Sequence, residues 1–176
     1  MRFMMLLAAF LVCMVIAGRA AAVPTEITVR VKTKDAKFLG TSMKGAQITI
    51  TDTAAGKVLA EGVTTGSTGD LDRIMNPKRG VSLSTPDSAK FSATIDISVP
   101  TKVEIKAFGP LSVPKTANSV SVTQWVIPGK HLTGGDGVLL ELPGFAVDVT
   151  APAEGSRVVL GNGKASVGIK AHIVMM

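Results

Sequence analysis

The segment Lys44–Leu71, KGAQITITDTAAGKVLAEGVTTGSTGDL, decides the fold class of this chain. In Ala46–Thr51 the large apolar side chains Ile48 and Ile50 stand two apart, with Gln47, Thr49 and Thr51 between them. That is the period of a strand with one buried face. Thr53–Lys57 supplies a reversal, with Gly56 free to take positive φ and Asp52 placed to bond the backbone just ahead of it. Val58–Val63 reads as the return strand, and Thr64–Asp70, two glycines among small polar residues, as a second turn. Strand, turn, strand, turn predicts an all-β chain, an antiparallel β-sandwich.

The same alternation recurs on both sides of this segment. Thr25–Lys32 sets Ile27, Val29 and Val31 against Glu26, Thr28, Arg30 and Lys32, which predicts the first strand. Lys34–Lys44, with lysines at 34, 37 and 44, reads as a solvated loop. Leu71, Ile74 and Met75 have helical spacing over one turn, which Pro77 stops. Phe91–Val99 and Thr101–Phe108 alternate again and meet at Pro100, as a hairpin or as one strand broken at the proline. Ser119–Val126 places Val120, Val122 and Gln124 on one side and Ser121, Thr123 and Trp125 on the other. Trp125, the only tryptophan, is expected as a core anchor. Val138–Leu142 lies between turn signals at Pro128-Gly129, Gly134–Gly137 and Pro143-Gly144, and Phe145–Val149 is expected to close a domain spanning 23–149.

Gly45-Ala46 before an apolar strand, then Asp52, Gly56-Lys57-Val58, a short strand, and Thr64–Gly69, resembles the carboxypeptidase-regulatory-like and transthyretin-like β-sandwich modules. The resemblance implies a non-catalytic module of the kind found in secreted and surface proteins. The transthyretin-like family includes a hydrolase of a purine-degradation intermediate, which uses histidines, an arginine and a C-terminal Tyr-Arg-Gly-Ser motif. This chain has no tyrosine and no such tail, so that activity is not carried over. Related modules close an isopeptide between lysine and asparagine; Lys32 or Lys34 would be the lysine, but none of Asn76, Asn118 and Asn162 lies in a clear last strand. Thr150–Ser156, TAPAEGS, is similar to the opening of bacterial immunoglobulin-like domains. That likeness implies strands at Arg157–Leu160 and Ala165–Met176, joined by the turn Gly161–Lys164. Residues 150–176 then form a linker and the strands of a second, incomplete domain, or they complete the first. The reading preferred here is a fragment of a longer protein.

Met1–Ala22 has Arg2 near its start, an uncharged apolar run from Phe3 to Gly18, and Ala20-Ala21-Ala22 before Val23. This order predicts a cleavable signal peptide and export to the periplasm or the extracellular space. Cys13, the only cysteine, lies inside the apolar run behind Val12, which argues against a lipid anchor. The mature chain is then free of cysteine, which excludes disulfides, thiolate zinc sites and thiol catalysis. Of the 19 basic residues the segment holds two, Arg2 and Arg19, leaving 17 against 13 acids. So small an excess gives no argument for nucleic acid.

Chemistry-bearing residues are sparse. There are two histidines, and no nucleophile elbow, HExxH motif or paired metal ligands, so an enzyme is not expected. The glycine cluster at 134–137 lacks the lysine and hydroxyl residue of a phosphate loop. Asp70 and Asp72 are close enough to hold calcium with neighbouring carbonyls, but no glutamate follows at EF-hand spacing, and turn capping is the preferred reading. His172, Met175 and Met176 combine imidazole with thioether, the donor set that selects copper(I), and His131, Met43 and Met75 would add ligands. Against this, methionine in an apolar strand is usually core filler. Aromatic residues make up 4% of the chain, which counts against a sugar-stacking surface. The function expected is an exported, non-enzymatic binding, adhesion or structural module without a cofactor. It would meet a protein partner or cell-envelope component through exposed strand edges and the loop Pro128–Gly137. The alternative is a periplasmic copper-handling protein using His131, His172, Met175 and Met176.

Overall fold

The computed structural model of the chain describes residues 21–175. The expected signal segment, save Ala21 and Ala22, lies outside the described residues, as do Cys13 and Met176. The strands are β1 (Val23–Thr33), β2 (Gln47–Asp52), β3 (Val58–Val63), β4 (Phe91–Ile97), β5 (Thr101–Gly109), β6 (Asn118–Val126), β7 (Val138–Leu142), β8 (Phe145–Ala151) and β9 (Lys170–Met175). One short α-helix, α1 (Leu71–Met75), precedes β4. A three-stranded sheet in the order β4-β1-β7 faces a four-stranded sheet in the order β3-β2-β5-β6, and β8 pairs with β9 in a sheet of their own.

The core lies between the first two sheets and is built from the alternation in the sequence. Ile27, Val29 and Val31 of β1, Ile48 and Ile50 of β2, Val103 and Ile105 of β5, and Leu140 and Leu142 of β7 are buried together in one cluster. Each such side chain contributes about 1.5–3 kcal/mol by leaving water. The central hairpin forms as its residues dictate. Asp52 Oδ1 accepts the Ala54 and Ala55 amides at 2.8 and 3.1 Å, and Gly56 turns the chain at φ +64°. β2 and β3 pair antiparallel with an irregularity between Ile50 and Thr51. The two ends of the segment are also tied together. The buried Thr64 hydroxyl donates to the Leu39 carbonyl at 2.6 Å and accepts the Ala46 amide at 2.9 Å.

Several expectations are corrected. The chain is the expected all-β sandwich and its strands pair mostly antiparallel, with one departure: β1 and β7 pair in parallel, from Val29↔Val138 to Thr33↔Leu142. β4 and β5 form no hairpin but lie in opposite sheets, because the chain crosses from one layer to the other at Ser98–Pro100. The segment 34–44 is not a solvated loop; Ala36, Phe38 and Leu39 are buried in it. Phe38 packs with Ile74 of α1, Ala89, Leu83 and Leu139 in a second cluster. Leu139 points away from core-facing Leu140, so this cluster covers the outer side of the three-stranded sheet. Trp125 is no core anchor: it is 63% exposed, because alternation gives the inner side of β6 to Val120, Val122, Gln124 and Val126. Phe145–Val149 is not a strand of either facing sheet: among the described residues β8 pairs only with β9. Arg157–Leu160 is not a strand; among the described residues of the tail, strand is confined to Thr150-Ala151 at the end of β8 and to Lys170–Met175.

Candidate partner-binding edge

The two facing sheets have four outer strands, β3, β4, β6 and β7, and among the described residues no strand pairs with the free side of any of them. An unprotected strand edge is a template for another chain, and proteins blunt it with charge, proline, bulges or shortness. β3 carries Glu61 and a register irregularity. β4 carries Asp96, and β7 has only five residues, with Glu141 in an ion pair with Lys32. β6 has none of these protections. Its nine residues, NSVSVTQWV, contain no charge and no proline, and it pairs with β5 from Thr101↔Val126 to Gly109↔Asn118 without a register shift. Among the described residues no loop backbone hydrogen-bonds to it. Ser121, Val122, Thr123 and Trp125 are exposed along it.

Beside this edge the sandwich opens sideways into a cavity of about 390 Å³, lined by Val122 and Gln124 of β6, Val138 and Leu139 of β7, and His131 and Leu132. Leu132 extends the position of β7 along β1: its amide donates to the Glu26 carbonyl at 2.8 Å and its carbonyl accepts the Thr28 amide at 3.0 Å. The chain then loops out over 133–137 before β7 begins. Gly137 ends that loop at φ +66°, where a Cβ would stand 2.4 Å from the Thr28 carbonyl oxygen, so only glycine fits. His131 Nδ1 accepts the Glu26 amide at 3.0 Å, so the proton of the neutral ring sits on Nε2. Gln124 Nε2 is buried and has no hydrogen-bond partner among the described residues, a donor on the wall of an opening of mixed polar and apolar lining.

Asp136 fixes the loop. Its carboxylate accepts the Leu83 amide at 3.0 Å and the Ser84 amide at 2.8 Å, and its carbonyl accepts Arg30 Nη1 at 3.0 Å. Burial pushes its pKa up; the Ser84 and Leu83 amides, the Ser84 hydroxyl and the Arg30 charge outweigh that and hold it below the usual carboxylate value. Arg30 is itself buried on β1, and its Nε has no hydrogen-bond partner among the described residues. The loop Pro128–Gly137 is thereby clamped between the central strand of one sheet and the 82–84 segment.

The residues proposed as copper ligands are dispersed. His131 lines the opening beside β6, whereas His172 stands on β9 in register with Asp148, and Met175 stands opposite Phe145. Three positions apart on one strand, His172 and Met175 point to opposite faces, so they do not converge as the sequence suggested. Met43 packs at the core margin, and Met75 is exposed at the end of α1. Among the described residues no three His, Cys, Asp or Glu side chains gather as a metal group. Asp70 caps α1 by accepting the Arg73 amide at 3.2 Å, and Asp72 accepts Asn76 Nδ2 at 2.9 Å, which is the capping role preferred above. Sequence reasoning passed over Gln124, Asp136 and the bareness of β6. The last was legible, since β6 is the one strand of the described residues without a charged side chain.

Comparison with protein-family models, curated proteins and solved structures returned no match. Among the described residues no helix is long and apolar enough to cross a membrane.

Proposed function

We propose that this chain is an exported, non-enzymatic binding module of the periplasm or cell surface, and that its partner is a protein that adds an extended segment to the free edge of β6. The observation that carries the reading is the nine-residue, charge-free and bulge-free edge, left without a loop hydrogen bond among the described residues. In strand addition the main chain supplies the affinity, and pockets for alternate side chains supply the specificity. The opening beside Val122 is such a pocket, and the unmatched Gln124 amide favours an incoming side chain with a hydrogen-bond acceptor. The order of basic, apolar and small residues at the N-terminus supports export. No observation favours the copper reading over this one.

The test is a photo-crosslinking residue placed at Ser121, with a second at Glu61 on β3 as the control, in cells that make the protein. The expected result is one adduct of defined mass from position 121, lost when Thr123→Lys is added, because a lysine on an edge opposes pairing. Equal adducts from both positions, or none from 121, would refute the assignment. Retention of the chain in the cytoplasm with Met1–Ala22 intact would refute export separately.

A further inference from the structure

The sheet of β8 and β9 is amphipathic, and among the described residues no layer covers one of its sides. Register and alternation put Phe145, Val147 and Val149 beside Met175, Ile173 and Ala171 on one face. That face carries no charge, and Phe145, Ile173 and Met175 are 58%, 61% and 60% exposed. Asp148, Lys170 and His172 lie on the other face, together with Ala146, which is buried. A two-stranded sheet with a bare apolar face is at best marginally stable in water.

We infer that a second copy of this chain covers this face, the two β8–β9 sheets stacking about a two-fold axis that crosses the strands at Val147 and Ile173. Three features of the strip fit that occupant. Its size is one: these six side chains offer on the order of 500 Å² of apolar surface, near the roughly 600 Å² per partner at the lower end of stable interfaces. Its freedom from charge is another, since a charge on the axis would meet its own copy and one elsewhere on the face would be buried against apolar side chains. The third is its taper. Phe145 and Met175 make a bulky end, and Val149 and Ala171 a small one. The two-fold axis lays bulky on small at both ends and meets Val147 and Ile173 with themselves, the large-against-small fit of a packed core. The bulky end also borders a cavity of about 320 Å³ rimmed by Lys34 and Asp35, which gives the contact a polar margin.

The test is sedimentation of the purified chain, unaltered and as Val147→Lys and Val147→Glu variants, at about 100 µM, where a dissociation constant below that value fills the dimer. The unaltered chain is expected to be a dimer. Either variant alone, with like charges at the axis, is expected to weaken it about 100-fold, and mixing the two variants is expected to restore it. A Ser121→Lys, Thr123→Lys variant is expected to keep the dimer while losing the β6 partner, so the two readings fail separately. A monomeric unaltered chain, a dimer indifferent to Val147→Lys, or a mixture that stays monomeric would overturn the inference.

Discussion

Replacing Asp136 with alanine tests whether the loop beside β6 is held by one carboxylate. The side chain accepts two backbone amides, from Leu83 at 3.0 Å and from Ser84 at 2.8 Å. Hydrogen bonds to a charged group contribute about 1.5–3 kcal/mol each when well buried. Asp136 is only half-buried, and water can replace part of what is lost, so the expected destabilisation is about 2–3 kcal/mol for the pair. In a domain of this size that corresponds to a fall in Tm of roughly 4–12 °C. Asp136→Asn keeps one acceptor oxygen and turns an amine toward the other amide, so it should lose about half as much. The assay is thermal unfolding by circular dichroism across a pH series. Because the folded carboxylate titrates below its unfolded value, its contribution is complete above about pH 4 and is lost as pH falls through the lower folded value. The gap between wild type and Asp136→Ala should therefore be full at neutral pH and close under strong acid. A neutral-pH Tm within about 1 °C of wild type, or a gap that persists undiminished in acid, would refute the argument.

Two further outcomes follow from the fold. Thr64→Val leaves the Ala46 amide and the Leu39 carbonyl without a partner in a buried position, and is expected to lower stability by about 2 kcal/mol in urea melts; Thr64→Ser, which keeps the hydroxyl, should recover most of it. Trp125→Ala should change stability by about 0.5 kcal/mol or less, as an exposed site does, where loss of a core anchor would cost about 3–5 kcal/mol. The native fluorescence of this sole tryptophan should accordingly resemble that of the unfolded chain, and a strongly blue-shifted native emission would contradict its exposed position.

The positions of most strands were legible because alternation is a local property. A strand with one buried face repeats every two residues, and Ile27-Val29-Val31, Ile48-Ile50 and Val103-Ile105 carry that period in the sequence and meet in the core. Asp52 and Gly56 set the central turn for equally local reasons: a short carboxylate that reaches the next amides and a glycine that takes positive φ. Asp70 at the start of α1 belongs with them. What a strand pairs with is not local. Nothing in Val138–Leu142 says that it runs parallel to β1, and nothing at Pro100 says that β4 and β5 part into opposite sheets. Trp125 was misplaced because a tryptophan in an alternating strand marks neither face as inner; the partner sheet decided that Val122 and Gln124 turn inward.

The candidate site divides along the same line. The bareness of β6 is written in its composition, but that β6 is an edge, and so that its bareness matters, follows only from the sheet order. Asp136 reads in sequence as one residue of a glycine turn; its bonds reach amides 52 and 53 positions away, a separation that no local pattern records. His172 and Met175 could be proposed together because they are near in sequence, and the pleat that sends neighbours three apart to opposite faces separates them. The sequence by itself determined which residues alternate, turn and cap, since those follow from each residue's own backbone preferences and nearest neighbours. Tertiary structure alone decided which strand edge is left open among the described residues, which loop is clamped beside it and which apolar face they leave uncovered, because each of these depends on hydrogen bonds and contacts between segments far apart in the chain.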